Sequence, residues 1–129
     1  MDARDFEAFR AAMQAAGTEL RPPRPELAAR MLQADWHRPL RAFYAHCDGM
    51  ARADYHDGSE ICLWPLEHVA VRSAHVEFAD WLIDSHAYAL RPDGAIVISD
   101  NGSEYDRVAG SLSEFLERML YAPDRLFAG

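Results

Sequence analysis

The chain has 129 residues, half of them hydrophobic, and a formal charge of −8, with 21 acids set against 13 arginines and no lysine. That length fits one domain with one sizeable core, and this hydrophobic share argues against disorder. The acidic balance argues against a nucleic-acid binder, which needs a basic footprint, and no apolar run approaches the ~20 residues that cross a bilayer.

The N-terminal DARDFE lacks the apolar core of a signal peptide, so a cytoplasmic location is expected. Phe6, Phe9 and Met13 recur at i, i+3 and i+7 and predict a helix over 3–16, closed by Gly17. TELRPPRPE follows; its prolines exclude regular structure, so residues 1–24 read as a helix and a Pro-rich connector, or as a hinged N-terminal arm. Pro25 opens a second helix, expected to run to about Trp36 with Leu27, Met31 and Leu32 on its stripe. After His37-Arg38-Pro39, the spacing of Leu40, Phe43, Tyr44 and Cys47 predicts a third helix, stopped by Asp48-Gly49. Ala51 to Glu60 reads as an exposed acidic loop, and EICLW as a strand broken by Pro65. LEHVAVRSAHVE reads as a helical turn and then a loop.

FADWLIDSHAYAL, Phe78 to Leu90, reads as one strand-like run, turned by Pro92-Asp93-Gly94 into a second strand, Ala95 to Ser99. DNGSEYDR reads as a polar turn, with a short strand at Arg107 to Ala109. Ser111 and Glu114 form a capping box at the head of a helix whose buried stripe is Leu112, Phe115, Leu116 and Met119. Pro123 ends that helix, and DRLFAG is a tail. The sum is an α+β fold over 1–129: an antiparallel meander with helices packed on one face, in one domain.

No motif for a cofactor or a metal stands out. Six histidines are scattered without HxxxH or HExxH spacing, so no resident metal is expected. Cys47 and Cys62 lack CxxC spacing and read as small buried hydrophobes. A single strand over Phe78–Leu90 would put Ala79, Trp81, Ile83, Ser85, Ala87 and Ala89 on one face, against helices. Asp80, Leu82, Asp84, His86 and Tyr88 would share the other, and a bend near Asp84 would exchange the downstream faces. The polar face reads as a partner-binding face or a solvated one; as chemistry, Asp80, Asp84 and His86 would have to serve a small hydrolase. Two acidic clusters, Asp54, Asp57 and Glu60 around Tyr55, and Asp100, Glu104 and Asp106 around Tyr105, suit a basic surface or simply solvation. The candidate partner-binding residues are therefore Asp54, Tyr55, Asp57, Asp80, Asp84, His86, Tyr88, Asp100 and Glu104. No catalytic residue is assigned.

The order of elements carries a resemblance. Trp36 and Pro39 precede a helix ending in Asp48-Gly49; ICLWPLEHV, FADWLIDSHAYAL, AIVIS and VAGSLSEFLERML follow. Over about 36–120 this resembles the SUKH superfamily, the Smi/Knr-like domains. The family has a Leu-Pro entry where this chain has Arg38-Pro39, an Asn-Gly or Asp-Gly helix stop, a Leu-Glu-x-Val turn, and often an aromatic where Leu112 stands. The resemblance implies an α+β fold without catalytic residues. It also implies a protein-binding function: most specifically a bacterial immunity protein that sequesters a polymorphic toxin, alternatively a regulatory scaffold. The acidic charge suits a basic toxin domain as partner, with no nucleic acid and no membrane.

Overall fold

A computed structural model describes residues 1–51, 54–81, 86–101 and 103–126. Helix α1 spans Ala3–Ala15, capped by Asp2, whose carboxylate accepts the Asp5 N–H at 2.8 Å. Its Phe6, Phe9 and Met13 are buried, and Phe6 and Phe9 meet Phe43 edge-on. The N-terminal helix thus belongs to the core. Helix α2 covers Pro25–Met31 and is shorter than its apolar pattern suggests. It stops there because the Arg41 guanidinium draws off the following carbonyls, Leu32 O at 2.6 Å and Ala34 O at 3.2 Å. A 3₁₀ turn, Asp35–His37, leads into α3, Arg38–Tyr44, which buries Leu40, Phe43 and Tyr44.

The Pro-rich connector is docked rather than hinged. Arg21 N–H donates to Gly49 O at 2.8 Å, and Asp48 N–H donates to Arg21 O at 3.0 Å. Buried Asp48 accepts from Leu66 N–H at 2.8 Å and from Arg24 Nε at 2.9 Å, so one carboxylate ties the connector to the turn after the first strand. Gly49 sits at φ +64°, and a Cβ there would lie 2.7 Å from Leu63 O and nearer still to Trp64 O. The Asp48-Gly49 pair is a structural joint in which only glycine permits the close approach.

Six antiparallel strands follow: β1 Ile61–Leu63, β2 Ala70–Val71, β3 Val76–Trp81, β4 His86–Leu90, β5 Ile96–Asp100 and β6 Ser103–Ala109. They form one sheet in the order β1-β3-β4-β5-β6, with β2 also paired to β3. The expected single run Phe78–Leu90 is two strands, paired Trp81 to His86 and Asp80 to Ala87. The expected loop before it contains β2 and the start of β3. The expected polar turn after β5 is mostly strand, because Asn101 takes the left-handed region (φ +53°) and lets Ser103 pair at once with Asp100. Leu82, Ile83, Asp84, Ser85 and Gly102 lie outside the described residues.

Helix α4, Leu112–Tyr121, begins as expected: Ser111 Oγ accepts the Glu114 N–H at 3.1 Å. Glu114 reaches back one residue further than a capping box requires, to Gly110 N–H at 3.2 Å. Leu112, Phe115, Leu116 and Met119 are all buried; Phe115 meets Phe78 edge-on at 5.3 Å and Tyr88 at 5.0 Å. Through these contacts the last helix covers one face of the sheet. The segment after it is not a free tail: Pro123–Leu126 forms a 3₁₀ turn, and the buried Leu126 carbonyl accepts the Tyr88 hydroxyl at 2.9 Å. The result is the expected α+β architecture.

Candidate functional site

The face of the sheet opposite α4 carries buried charge. Register sets it: Glu77 pairs with Ala89, Asp80 with Ala87, and Ala87 with Ser99, so these residues share one side across three strands. Glu77 and Asp80 are three apart and would point to opposite faces in a regular strand. A bulge between Glu77 and Ala79 adds one residue, brings both carboxylates to the same face and leaves Phe78 against α4.

Both carboxylates are 6% exposed or less. Glu77 Oε1 accepts from Arg72 Nε at 2.8 Å, and Glu77 Oε2 from Ser99 Oγ at 2.8 Å. Burial alone pushes the Glu77 pKa up, but the Arg72 and Ser99 hydrogen bonds, with the charges of Arg72 and His75, outweigh it and hold it below the ordinary value. Asp80 accepts from the Tyr55 hydroxyl at 2.8 Å and from the Trp64 indole N–H. Beside them, buried His75 sets Nδ1 2.8 Å from Glu104 Oε2 and Nε2 4.0 Å from Glu77 Oε2. An ionised carboxylate only accepts, so Nδ1 carries the proton in that contact. Arg91 Nε lies 3.5 Å from the other Glu104 oxygen.

Ala87 has almost no side chain at the centre of this frame, and a cavity of 170 Å³ opens there. Glu77, Asp80 and Ser99 line it from the sheet and Trp64 from beyond β1, and it reaches His86, Asp100 and Asn101 at the strand ends. His86 stacks on Trp81 at 5.1 Å and meets Tyr88 edge-on at 5.4 Å. Burial lowers its pKa, against the charges of Asp100 and Asp80. The hollow thus lies beside two buried carboxylates that protein donors already hold, while the His86 ring packs with Trp81 and Tyr88.

The candidate residues separate into three sets. Asp54, Asp57 and Asp100 are exposed, and the Glu104 side chain is 27% exposed. Tyr55 is half-buried rather than displayed, because its hydroxyl is turned inward to Asp80; His86 is also half-buried. Asp80 and Tyr88 are interior, and they do not share a face: Tyr88 pairs with Ala79 and packs on Phe115, whereas Asp80 faces the cavity. Asp84 lies outside the described residues. The exchange of downstream faces follows from the reversal between Trp81 and His86. It moves Ala87 and Ala89 to the polar side and Tyr88 to the core.

Sequence reasoning missed Glu77, Trp64 and Ser99. An acid between the apolar Val76 and Phe78 is the available signal for Glu77. Starting the strand at Phe78 hides it. Among the described residues no three His, Cys, Asp or Glu side chains converge to hold a metal ion, and no helix is long and apolar enough to cross a membrane. Both cysteines are buried free thiols, and burial pushes that of Cys47 up to about 12. No protein-family model, curated protein or solved structure matches the chain.

Proposed function

We propose that this chain is a non-catalytic protein-binding module of the Smi/Knr-like type, an immunity protein that sequesters and neutralises a basic toxin domain in the cytoplasm. One observation carries the binding face. The two acidic clusters separated in sequence flank the same cavity: the segment with Asp54 and Asp57 is anchored to it through the Tyr55–Asp80 hydrogen bond, and Asp100 at the end of β5 lines it. Tyr105, 60% exposed on β6 among Glu104 and Asp106, adds rigid contact area to this acidic margin. A surface of one sign attracts and orients a partner of the other. The specific assignment to immunity rests on the resemblance in element order and on the charge of −8.

The test is co-expression with the product of the neighbouring coding sequence, expected to be a toxin. The wild-type chain restores growth and co-purifies with the toxin domain. A chain that binds a neighbouring protein without restoring growth favours a regulatory scaffold; one that does neither removes the binding reading as well.

A further inference from the structure

The seam between α1 and α4 lies on the helical side of the sheet and is not filled. A groove of 270 Å³ runs along it, floored by the buried Phe9 and Leu116. Ala8 on the α1 wall has too little side chain to close it. Leu116 and Leu120 are four apart and share one face of α4, so the apolar stripe that packs on the sheet continues outward along the groove. Tyr121 ends it with 73% of its surface exposed, more than any other large hydrophobic residue among the described ones. An apolar run of this kind on the surface marks a place for a partner. The charged side chains that line it are both acids, Asp5 on α1 and Glu117 on α4, and both are exposed. Arg10 of α1 and Arg118 of α4 turn elsewhere, to Glu7 at 3.6 Å and to Glu114 at 2.9 Å.

We infer that this groove receives a basic amphipathic helix of a partner protein, with its apolar stripe on Phe9, Leu116 and Leu120 and its flanking cations beside Asp5 and Glu117. The shape selects a helix: two helices side by side leave a valley that takes the ridge of a third, and side chains at i, i+3, i+4 and i+7 reach along one line. The charge selects a basic one, and it repels nucleic acid and anionic lipid alike. It also opposes a second copy of this chain, which would bring like acids together in a molecule of charge −8. This surface is distinct from the acidic margin of the cavity, with the sheet between them, and its preference holds whether or not the partner is a toxin.

The probe is a model peptide of about 18 residues, long enough to hold a helix, with leucines at i, i+3, i+4 and i+7 and lysines on the flanks. A scrambled peptide of the same composition, and one with glutamates in place of the lysines, serve as comparisons. In an NMR titration of the isotopically labelled chain, the basic helix is expected to shift the Ala8, Ser113, Leu120 and Tyr121 amides saturably, and the other two peptides are not. Ala8 is exposed and arginine suits a helix, so Ala8→Arg keeps the fold, fills the groove with a cation and weakens binding by about tenfold or more. Tyr121→Ala and Glu117→Gln, both at exposed positions, each weaken it by about two- to five-fold. Asp57→Asn, outside the groove, leaves it unchanged. Equal binding of the scrambled peptide, shifts spread over surface acids elsewhere, or an affinity that Ala8→Arg and Tyr121→Ala leave intact overturns the inference. Equal binding of the glutamate peptide overturns the choice of a basic partner. The free chain is expected to sediment as a monomer, and a dimer that Ala8→Arg dissociates gives the groove to a second copy instead. Because the probes are peptides on the chain alone, their failure leaves the growth-rescue test untouched, and failure of rescue leaves the groove's preference standing.

Discussion

Glu77 carries charge on a sheet face that leaves its side chain only 8% exposed. Its folded-state pKa lies below the unfolded one, because Arg72 and Ser99 bind the ionised form more strongly than burial penalises it. A depressed carboxyl pKa contributes stability that is present above the unfolded value and lost as pH falls through the folded one. The wild-type chain is therefore expected to be less stable to urea at pH 3 than at pH 7, with Glu77 among the causes. Glu77→Gln removes a charge-assisted bond from Arg72 and should cost about 1–3 kcal/mol at pH 7. At pH 3, below the unfolded value, part of that contribution is lost and the gap between the two proteins should narrow. A gap of equal size at both pH values would show that the Glu77 charge is not what the site stabilises. This residue also marks a limit of reading from sequence. Alternation alone separates Glu77 from Asp80, and only the bulge at Phe78 unites them. A bulge has no residue signature here, since it needs no glycine when the extra side chain finds a place in the core.

Helix α4 is the element on which the sheet depends most directly, since its Phe115 touches both β3 and β4. Phe115→Ala should cost about 3–5 kcal/mol through lost burial and the cavity left behind. Tyr121, on the same helix but 73% exposed, gives the contrast: Tyr121→Ala should stay within about 0.5 kcal/mol. Urea unfolding of both variants checks this, and a cost below about 1 kcal/mol for Phe115→Ala would mean that the helix docks by another face. The helix was legible because its period of 3.6, its Ser111 cap and its Pro123 stop agree with one another. The β3–β4 hairpin was not. No glycine or proline stands between Phe78 and Leu90 to mark the reversal, and both strands are apolar enough to read as one. The acidic Glu104–Asp106 stretch failed for a related reason: polar composition suggests a turn, whereas an edge strand takes charged residues readily, which also discourages pairing with other chains.

At the scale of the whole molecule the net charge is the quantity to test. With 21 acids against 13 arginines, the chain presents a negative field that opposes like-charged neighbours and draws in a basic domain. The screening length falls from about 10 Å at 0.1 M salt to about 3 Å at 1 M, so steering between the two proteins fades over that range. Association with the proposed toxin domain should therefore slow as salt rises, by about tenfold or more, while dissociation changes less. The exposed acids should carry this effect in distinct ways. Asp54 and Asp57 act at a distance, so neutralising both should lower the on-rate and flatten its salt dependence without altering the off-rate. Asp100 lines the cavity, so Asp100→Asn should also raise the off-rate. Asp80 is fully buried behind Tyr55 and Trp64, and Asp80→Asn should act first on stability. Surface kinetics at several salt concentrations, beside urea unfolding of each variant, separates these contributions. An on-rate indifferent to salt, with wild-type binding intact, would move the interface away from the acidic margin of the cavity and onto an uncharged part of the surface.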